Sequence, residues 1–445
     1  MMVRRPVLLS CLCACGTAVA LVLSSSPARG QGGVLPEDGQ SKLEEKYDRD
    51  ARASIKDLVT GKVGLDKGNE SLADLEAQWL TYRLTWSDVQ TKEKMIDALM
   101  KDLDSDLVSA AKNRPATDDF LKVFLKKLVE CSRRVLNPQQ PAIARVNAAQ
   151  VLARVAQSGD EGIADAVADA LTEVLKDQSQ NDGVKYWACR GLQQVFAPGI
   201  IDRELRMPPR LLKNKDSQAR CTLALLEFID RKLPVSATTP LDEAEGLRVV
   251  RREAIRALAL TQYPAVIGDK NALQGRTAQT LERVIRHDGF LLEPRWDEEL
   301  EAAIGLGWLK VGLFPDYQPD TGAQAIGAAL VNFAKKYEAE KFDRSATDDK
   351  SKFVDRGWKY YAARLTESLE GMKADVAKNV KDKGTVDYVN QIVQKSTDML
   401  KLIDTRGDTK PGDLDNWLRS NPPKSDTVYK GVADSKVKPP EPAEK

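Results

Sequence analysis

Segments recurring along the middle of the chain share one pairing, a small residue followed four positions later by leucine. They read ARVNAAQVLARV from Ala144, VKYWACRGLQQV from Val184, a weaker copy around Gln218, VRREAIRALALT from Val250 and EELEAAIGLGWL from Glu298. With Arg145 as position zero, the equivalent residues are Lys185, Gln218, Arg251 and Glu299, at offsets of 40, 33, 33 and 48. Position three is then Ala148, Ala188, Cys221, Ala254 or Ala302, and position seven is Leu152, Leu192, Leu225, Leu258 or Leu306. On a helix these positions share one face, where the small residue lets a neighbour approach closely and the leucine fills the space beside it. The pairing is a packing code for stacked helices.

Partner helices are expected beside these segments at residues 118–136, 161–176 and 276–287. In the second, Ile163, Val167, Leu171 and Val174 are spaced as a helix buried on one side requires. Only 6% of the residues are aromatic, which favours helices over sheets in a chain that is 42% hydrophobic and able to bury a core. Helix pairs repeating at 33 to 48 residues predict an all-α fold, an α-solenoid of stacked pairs. The Val-Arg, Ala-Ala and Leu pattern resembles the second helix of HEAT-like repeats, over residues 118–340. The resemblance implies that the basic residues at position zero, Arg145, Lys185 and Arg251, tie adjacent units together.

Around this stretch, residues 31–45 read as a flexible linker and 46–117 as an N-terminal helical region. There Leu72, Leu75, Trp79, Tyr82 and Trp86 step at helical spacing, Ser71 is a candidate helix cap, and Ser87 with Gln90 suggests a capping box. Trp358, Tyr361, Leu365, Leu369, Met372 and Val376 form one apolar stripe; Val389, Val393, Ser396, Leu400 and Ile403 form another. Residues 348–405 are therefore expected to fold as a C-terminal antiparallel helical hairpin that closes the solenoid. The remaining residues, 406–445, contain six prolines and few large apolar groups and read as a disordered tail.

The first thirty residues carry an address. A basic start at Arg4 and Arg5, an apolar run from Pro6 to Leu23 and small residues ending at Ala28 and Gly30 make a secretory signal peptide, with an uncleaved anchor as the alternative route to a membrane. Localisation is expected to be exported, periplasmic or extracellular. Removing residues 1–30 leaves 64 basic and 66 acidic side chains, a net charge of −2. With no overall basic field, nucleic acid is not an expected partner. Cys131, Cys189 and Cys221 remain, and read as small buried apolar residues rather than a redox motif.

The search for chemistry is negative. One histidine in the chain excludes any site that needs two. Asp102, Asp104 and Asp106 begin like a calcium loop, but Leu107 stands where glycine is required, so they read as a solvated acidic face. His287 suits a helix C-terminus before Gly289. Gly305 and Gly307 lack phosphate-loop spacing and read as sites of close helix packing. Arg406, Gly407 and Asp408 spell an adhesion tripeptide, a coincidence of three common residues, and Asn69, Glu70 and Ser71 form a glycosylation acceptor only in a host with the machinery, Ser71 serving equally as a helix cap. No catalytic residue, cofactor or metal is assigned, and the chain is read as not an enzyme.

What remains is a surface. The face opposite the core carries Asn147, Gln150 and Arg154, then Trp187, Arg190 and Gln194, then Arg220, Leu223 and Glu227, then Glu253, Arg256 and Leu260, then Glu301, Ile304 and Trp308. Trp and Arg are the residues of interface hot spots, so Arg154, Trp187, Arg190, Arg220 and Arg256 are the candidate partner-binding residues. The fifth stripe turns apolar, and the hairpin is expected to cover it. The expected function is non-catalytic binding or scaffolding of a protein partner along a groove. An envelope polysaccharide binder and a carboxylate-dependent envelope hydrolase are the alternatives, and a deep pocket holding two acids with raised pKa would favour the hydrolase.

Overall fold

The computed structural model describes residues 39–430, apart from 159–160, 197–211, 213, 234, 237–238, 268–272, 313 and 344–351. The expected signal peptide at residues 1–30 lies outside the described residues. The described chain is all-helical except for two short antiparallel strand pairs, Val266–Ile267 with Leu273–Gln274 and Phe342–Asp343 with Lys352–Phe353. Its helices are α1 (Gln40–Lys46), α2 (Arg49–Val59), α3 (Glu70–Tyr82), α4 (Ser87–Gln90), α5 (Glu93–Lys112), α6 (Asp118–Val135), α7 (Ala142–Gln157), α8 (Glu161–Lys176) and α9 (Asp182–Phe196). They continue with α10 (Lys215–Ile229), α11 (Leu241–Ala259), α12 (Arg276–Arg286), α13 (Trp296–Trp308), α14 (Pro319–Glu340), α15 (Trp358–Asn379), α16 (Lys383–Asp404) and α17 (Pro411–Ser420).

The packing code does what its chemistry demands. Ala148, Ala188, Cys221, Ala254 and Ala302 are buried, as are Leu152, Leu192, Leu225, Leu258 and Leu306. The helices that carry them fall into two rows. In one, α7, α9, α11, α13 and α15 are successive neighbours; in the other, α6, α8, α10, α12, α14 and α16 follow one another, and the rows pack face to face. Two glycines show how close the approach is. A Cβ on Gly191 of α9 would lie 2.5 Å from Leu171 of α8 and 3.3 Å from the Ala153 backbone of α7. A Cβ on Gly305 of α13 would lie 3.0 Å from Leu281 of α12 and 2.9 Å from Ala259 of α11. The same position six of the code thus wedges between both rows twice.

One segment was placed in the wrong row by its sequence. The copy around Gln218 is α10, which lies between α8 and α12, while α9 and α11, its expected neighbours in the row, pack directly on each other. Cys221 Sγ lies 3.1 Å from Thr172 Oγ1 of α8, and Arg220 donates to Asp169 of the same helix at 2.8 Å. A small-then-large pair permits close approach on either row and does not say which row a helix joins.

The ends depart from expectation more visibly. Within the supposed linker, α1 forms and buries Leu43. Ser87 is the first residue of α4 rather than its cap, and Gln90 Nε2 donates back to the Thr85 carbonyl at 2.7 Å, so there is no capping box. Ser71 caps nothing, because α3 begins at Glu70; Asn69 accepts from the Asp66 backbone and donates to Gly64, which ties down the loop instead. The supposed tail is structured as far as Lys430: α17 forms with Pro411 in its first turn and buries Leu414 and Leu418 against α14, and Val428 and Tyr429 are buried further on. Leu414, Trp417 and Leu418 are the three large apolar residues at i, i+3 and i+4, and that spacing outweighs a polar composition. The tripeptide at Arg406 is fastened to α14 through Tyr337 Oη, which donates to the Gly407 carbonyl, and through Lys341, which pairs with Asp408. Residues 431–445 lie outside the described residues.

Candidate interaction surface

Positions two, five and nine of the α7–α9–α11–α13 row lie opposite positions three and seven, yet Asn147, Glu253, Glu301 and Ile304 among them are buried, and the exposed part of the face is narrower than the spacing predicts. On α9 the face places Trp187 and Arg190 beside Tyr186. The two rings meet edge to face at 5.5 Å, and the Arg190 guanidinium carbon lies 5.1 Å from the Trp187 ring centre and 5.8 Å from that of Tyr186. Arg190 Nη1 also donates to Tyr186 Oη at 3.3 Å. Among the described residues no carboxylate pairs with Arg190, so its charge is balanced only by two aromatic faces.

The neighbouring helix is different. Arg256 of α11 donates to Glu301 of α13 at 2.5 Å and to Glu253 at 3.2 Å, and Arg364 of α15 donates to the same Glu301 at 2.6 Å. Gln193 of α9 donates to Glu253 at 3.0 Å, which carries the network back to the Trp187 helix. Burial works against the charge on Arg256, but Glu301 and Glu253 outweigh it and hold its pKa above the ordinary arginine range. For Glu301 burial pulls upward, yet Arg364 and Arg256 together hold it below the usual carboxylate range. The carboxylates lie underneath and the guanidiniums above them.

The five candidate residues therefore do not form one cluster. Trp187, Arg190 and Arg256 lie on adjacent helices of one row; Arg154, at the end of α7, is tied to Asp104 of α5 at 2.6 Å. Arg220 is in the other row, paired with Asp169, and leaves the groove it was assigned to. Of the fifth stripe, Glu301 and Ile304 are covered by α15, where Ser368 Oγ donates to the Ile304 carbonyl at 2.8 Å, while Trp308 stays partly exposed under Arg364. Gly307 allows this: its Cβ would fall 2.0 Å from Ser368 Oγ. Tyr360 on α15, absent from the expected surface, is 52% exposed and lies 5.2 Å from the Arg364 guanidinium. Its signal was the Tyr360–Tyr361 doublet, one ring for the core and one for the surface.

Of the basic residues at position zero, Arg145 and Arg251 make ties, while Lys185 is buried and its charge disfavoured by that burial. Arg145 donates to Gln180 Oε1 at 2.8 Å, and buried Arg251 of α11 forks onto Glu298 of α13 at 2.6 Å and bonds the Leu292 carbonyl. His287 differs from its expected role. Its backbone, at φ 60°, ends α12, but its ring bridges Glu293 at 2.8 Å and Glu299 at 2.9 Å instead of meeting helical carbonyls. Burial disfavours the imidazolium, and the two glutamates outweigh it, so the pKa rises.

Acids do gather at the N-terminal end. Asp106 is not on a solvated face: it turns inward to Glu76 of α3, which also accepts from Tyr47 Oη at 2.6 Å. Burial, then the nearby Asp106 charge, pushes the Glu76 carboxyl up, and burial raises Asp106 as well, so Glu76 holds the proton and donates it to Asp106. Sequence spacing could not show this, because the two residues are thirty positions apart on different helices. Glu76 is buried and Asp106 half-buried, and the two are in hydrogen-bond contact, closer than the roughly 5 Å or more that separates the carboxyls of glycoside hydrolases. A surface hollow of about 240 Å³ lies elsewhere, between α6 and α8, with Arg133, Glu173, Asp177 and Gln180 in its wall. Its Asp177 is held below the ordinary range, first by a hydrogen bond from Ser179.

Among the described residues no group of three or more His, Cys, Asp or Glu side chains is placed to hold a metal ion, and no helix is long and apolar enough to cross a membrane. Cys131, Cys189 and Cys221 are free and buried, and burial pushes the Cys131 and Cys221 thiols up to about 11. Compared with protein families, with curated proteins and with solved structures, the chain matches none.

Proposed function

We propose that the chain is an exported, non-catalytic scaffold, a HEAT-like α-solenoid closed by a C-terminal antiparallel hairpin of α15 and α16, which docks a protein partner across α9, α11 and α15. The solenoid reading is supported by the two rows of successive helices and by the repeated wedge of Gly191 and Gly305. Docking rests on one observation, the Arg190 guanidinium held by Trp187 and Tyr186 without a carboxylate partner. Such a side chain is already ordered, so a partner carboxylate gains a charge-assisted hydrogen bond at little entropic cost. Arg256, Arg364, Trp308 and Tyr360 extend the surface along the row, since each exposes part of its side chain there.

Crosslinking capture from the native envelope with the mature chain, run beside a variant carrying Trp187→Ala and Arg190→Glu, tests the reading. One protein captured by the wild type, lost by the still-folded variant and bound again when both are purified supports it. Binding of an envelope glycan with the same dependence on Trp187 converts the surface into a carbohydrate site. No difference between the two chains overturns it.

A further inference from the structure

At the N-terminal end of the molecule, around the turn that follows α3, charge and hydrogen bonding are left incomplete. The chain leaves α3 through a short 3-10 turn, Arg83–Thr85, and enters α4 after Trp86. The Arg83 guanidinium stacks on the Trp79 ring at 4.3 Å and lies 5.4 Å from Trp86, while Tyr47 covers Trp79 at 4.0 Å with the planes nearly parallel. Stacking occupies the flat face of a guanidinium and leaves the donors at its edge for a ligand. Here those donors are idle: Arg83 Nε is buried without a partner, and so is the indole Nε1 of Trp86, a residue only 2% exposed.

Arg52 supplies a second cation. It is exposed, its guanidinium lies 5.3 Å from the Trp79 ring, and only its Nε is engaged, on the Tyr47 carbonyl at 3.3 Å. Two acids, Asp88 and Asp102, act on Arg83 through their charge, and neither is hydrogen-bonded to it. Burial comes first among the influences on Arg83 and lowers its pKa, as expected of a cation that no carboxylate has neutralised. A buried donor left unmade costs free energy that a matching acceptor recovers.

We propose that Arg83, Arg52 and the Trp86 indole N–H form a binding site for an oxyanion, the carboxylate or phosphate group of a ligand. Arg83 and Arg52 supply the charge, and the indole supplies a directional neutral donor. The turn that carries Arg83 packs on α7, so the site lies at the beginning of the α7–α9–α11 row.

Nitrogen-15 NMR of the mature chain tests the site directly. The Trp86 indole signal is identified by its disappearance in Trp86→Phe, and then followed while inorganic phosphate or acetate replaces chloride at constant ionic strength. A saturable shift of that one signal is expected, with affinity lowered about tenfold in Arg83→Gln and unchanged in Arg190→Glu. A stronger response to phosphate assigns a phosphate-bearing ligand, and a stronger response to acetate a carboxylate. If Arg83→Gln fails to fold, Arg52→Gln carries the same comparison. An indole signal that neither anion moves, or one that moves equally in the arginine variants, overturns the proposal.

Discussion

On α13, four buried carboxylates are each met by a side chain of opposite or complementary character. Asp297 receives Arg252 and Arg295, Glu298 receives Arg251, Glu299 receives His287 and Asn332, and Glu301 receives Arg256 and Arg364. At the N-terminal end the pairing is reversed: Glu76 and Asp106 meet each other, and Arg83 and Arg52 meet aromatic rings. The first arrangement locks α11, α13 and α15 in register. The second shares a proton between two acids and leaves two cations with no hydrogen-bonded carboxylate among the described residues. Charge therefore serves as architecture in one region and is left without a partner carboxylate in the other, where the oxyanion site is proposed.

Breaking the locked region should have the largest effect. In Glu301→Ala the guanidiniums of Arg256 and Arg364 lose their shared carboxylate while staying largely covered, a loss of about 3–5 kcal/mol by analogy with other buried pairs deprived of one partner. Urea unfolding of the full chain measures it. Substitution of all three residues by apolar side chains should recover much of that loss, which would separate the cost of an orphaned charge from the worth of the network.

Leu418→Ala comes next, at about 2–3 kcal/mol for a buried leucine that packs on α14 next to Gly327. The same substitution in an unstructured tail would leave the unfolding midpoint unchanged, so the measurement decides how far the C-terminal segment belongs to the fold. This segment marks the limit of what the sequence could tell. Helical periodicity located α6, α8 and α12 to within about a residue, because those helices bury one face against neighbours close in sequence. Composition misled for residues 406–430, where a few apolar side chains and backbone bonds to Asp316 and Gln318 hold a polar stretch in place. The row taken by α10 and the meeting of Glu76 with Asp106 were out of reach for the same reason: both are set by which distant helix arrives alongside, and no local spacing encodes that.

The two regions should also answer pH in opposite directions. Burial and the neighbouring Asp106 raise Glu76 from 4.5 to about 8, so the folded state keeps a proton that the unfolded chain releases. Its stabilising contribution is complete below 4.5 and is lost as pH rises through about 8. Glu301 and Asp297 are held low by their arginines despite burial, and their contribution is present above the ordinary carboxylate range and lost in acid. Glu298 does not follow them, because burial outweighs Arg251 and raises it. For Glu76 the slope cannot exceed about 1.4 kcal/mol per pH unit, the value for a single proton. Thermal unfolding between pH 6 and about 9 should show a decline that Glu76→Gln flattens and Glu301→Gln leaves in place. A decline that survives Glu76→Gln would mean that the proton is held elsewhere.

The smallest effect on stability is expected at Arg190, the residue on which the proposed docking rests. Arg190→Ala removes a guanidinium from the partly exposed faces of Trp187 and Tyr186, a change of about 0.5–1 kcal/mol, and it orphans no carboxylate. Arg256→Ala, one helix away, strips cover from Glu253 and Glu301 and should cost several times as much. If the two substitutions weaken partner capture equally but differ this way in unfolding, the surface is a rigid network with one cation left over for the partner. A large stability loss for Arg190→Ala would instead place that arginine among the structural ties, and the docking surface would have to be sought toward Tyr360.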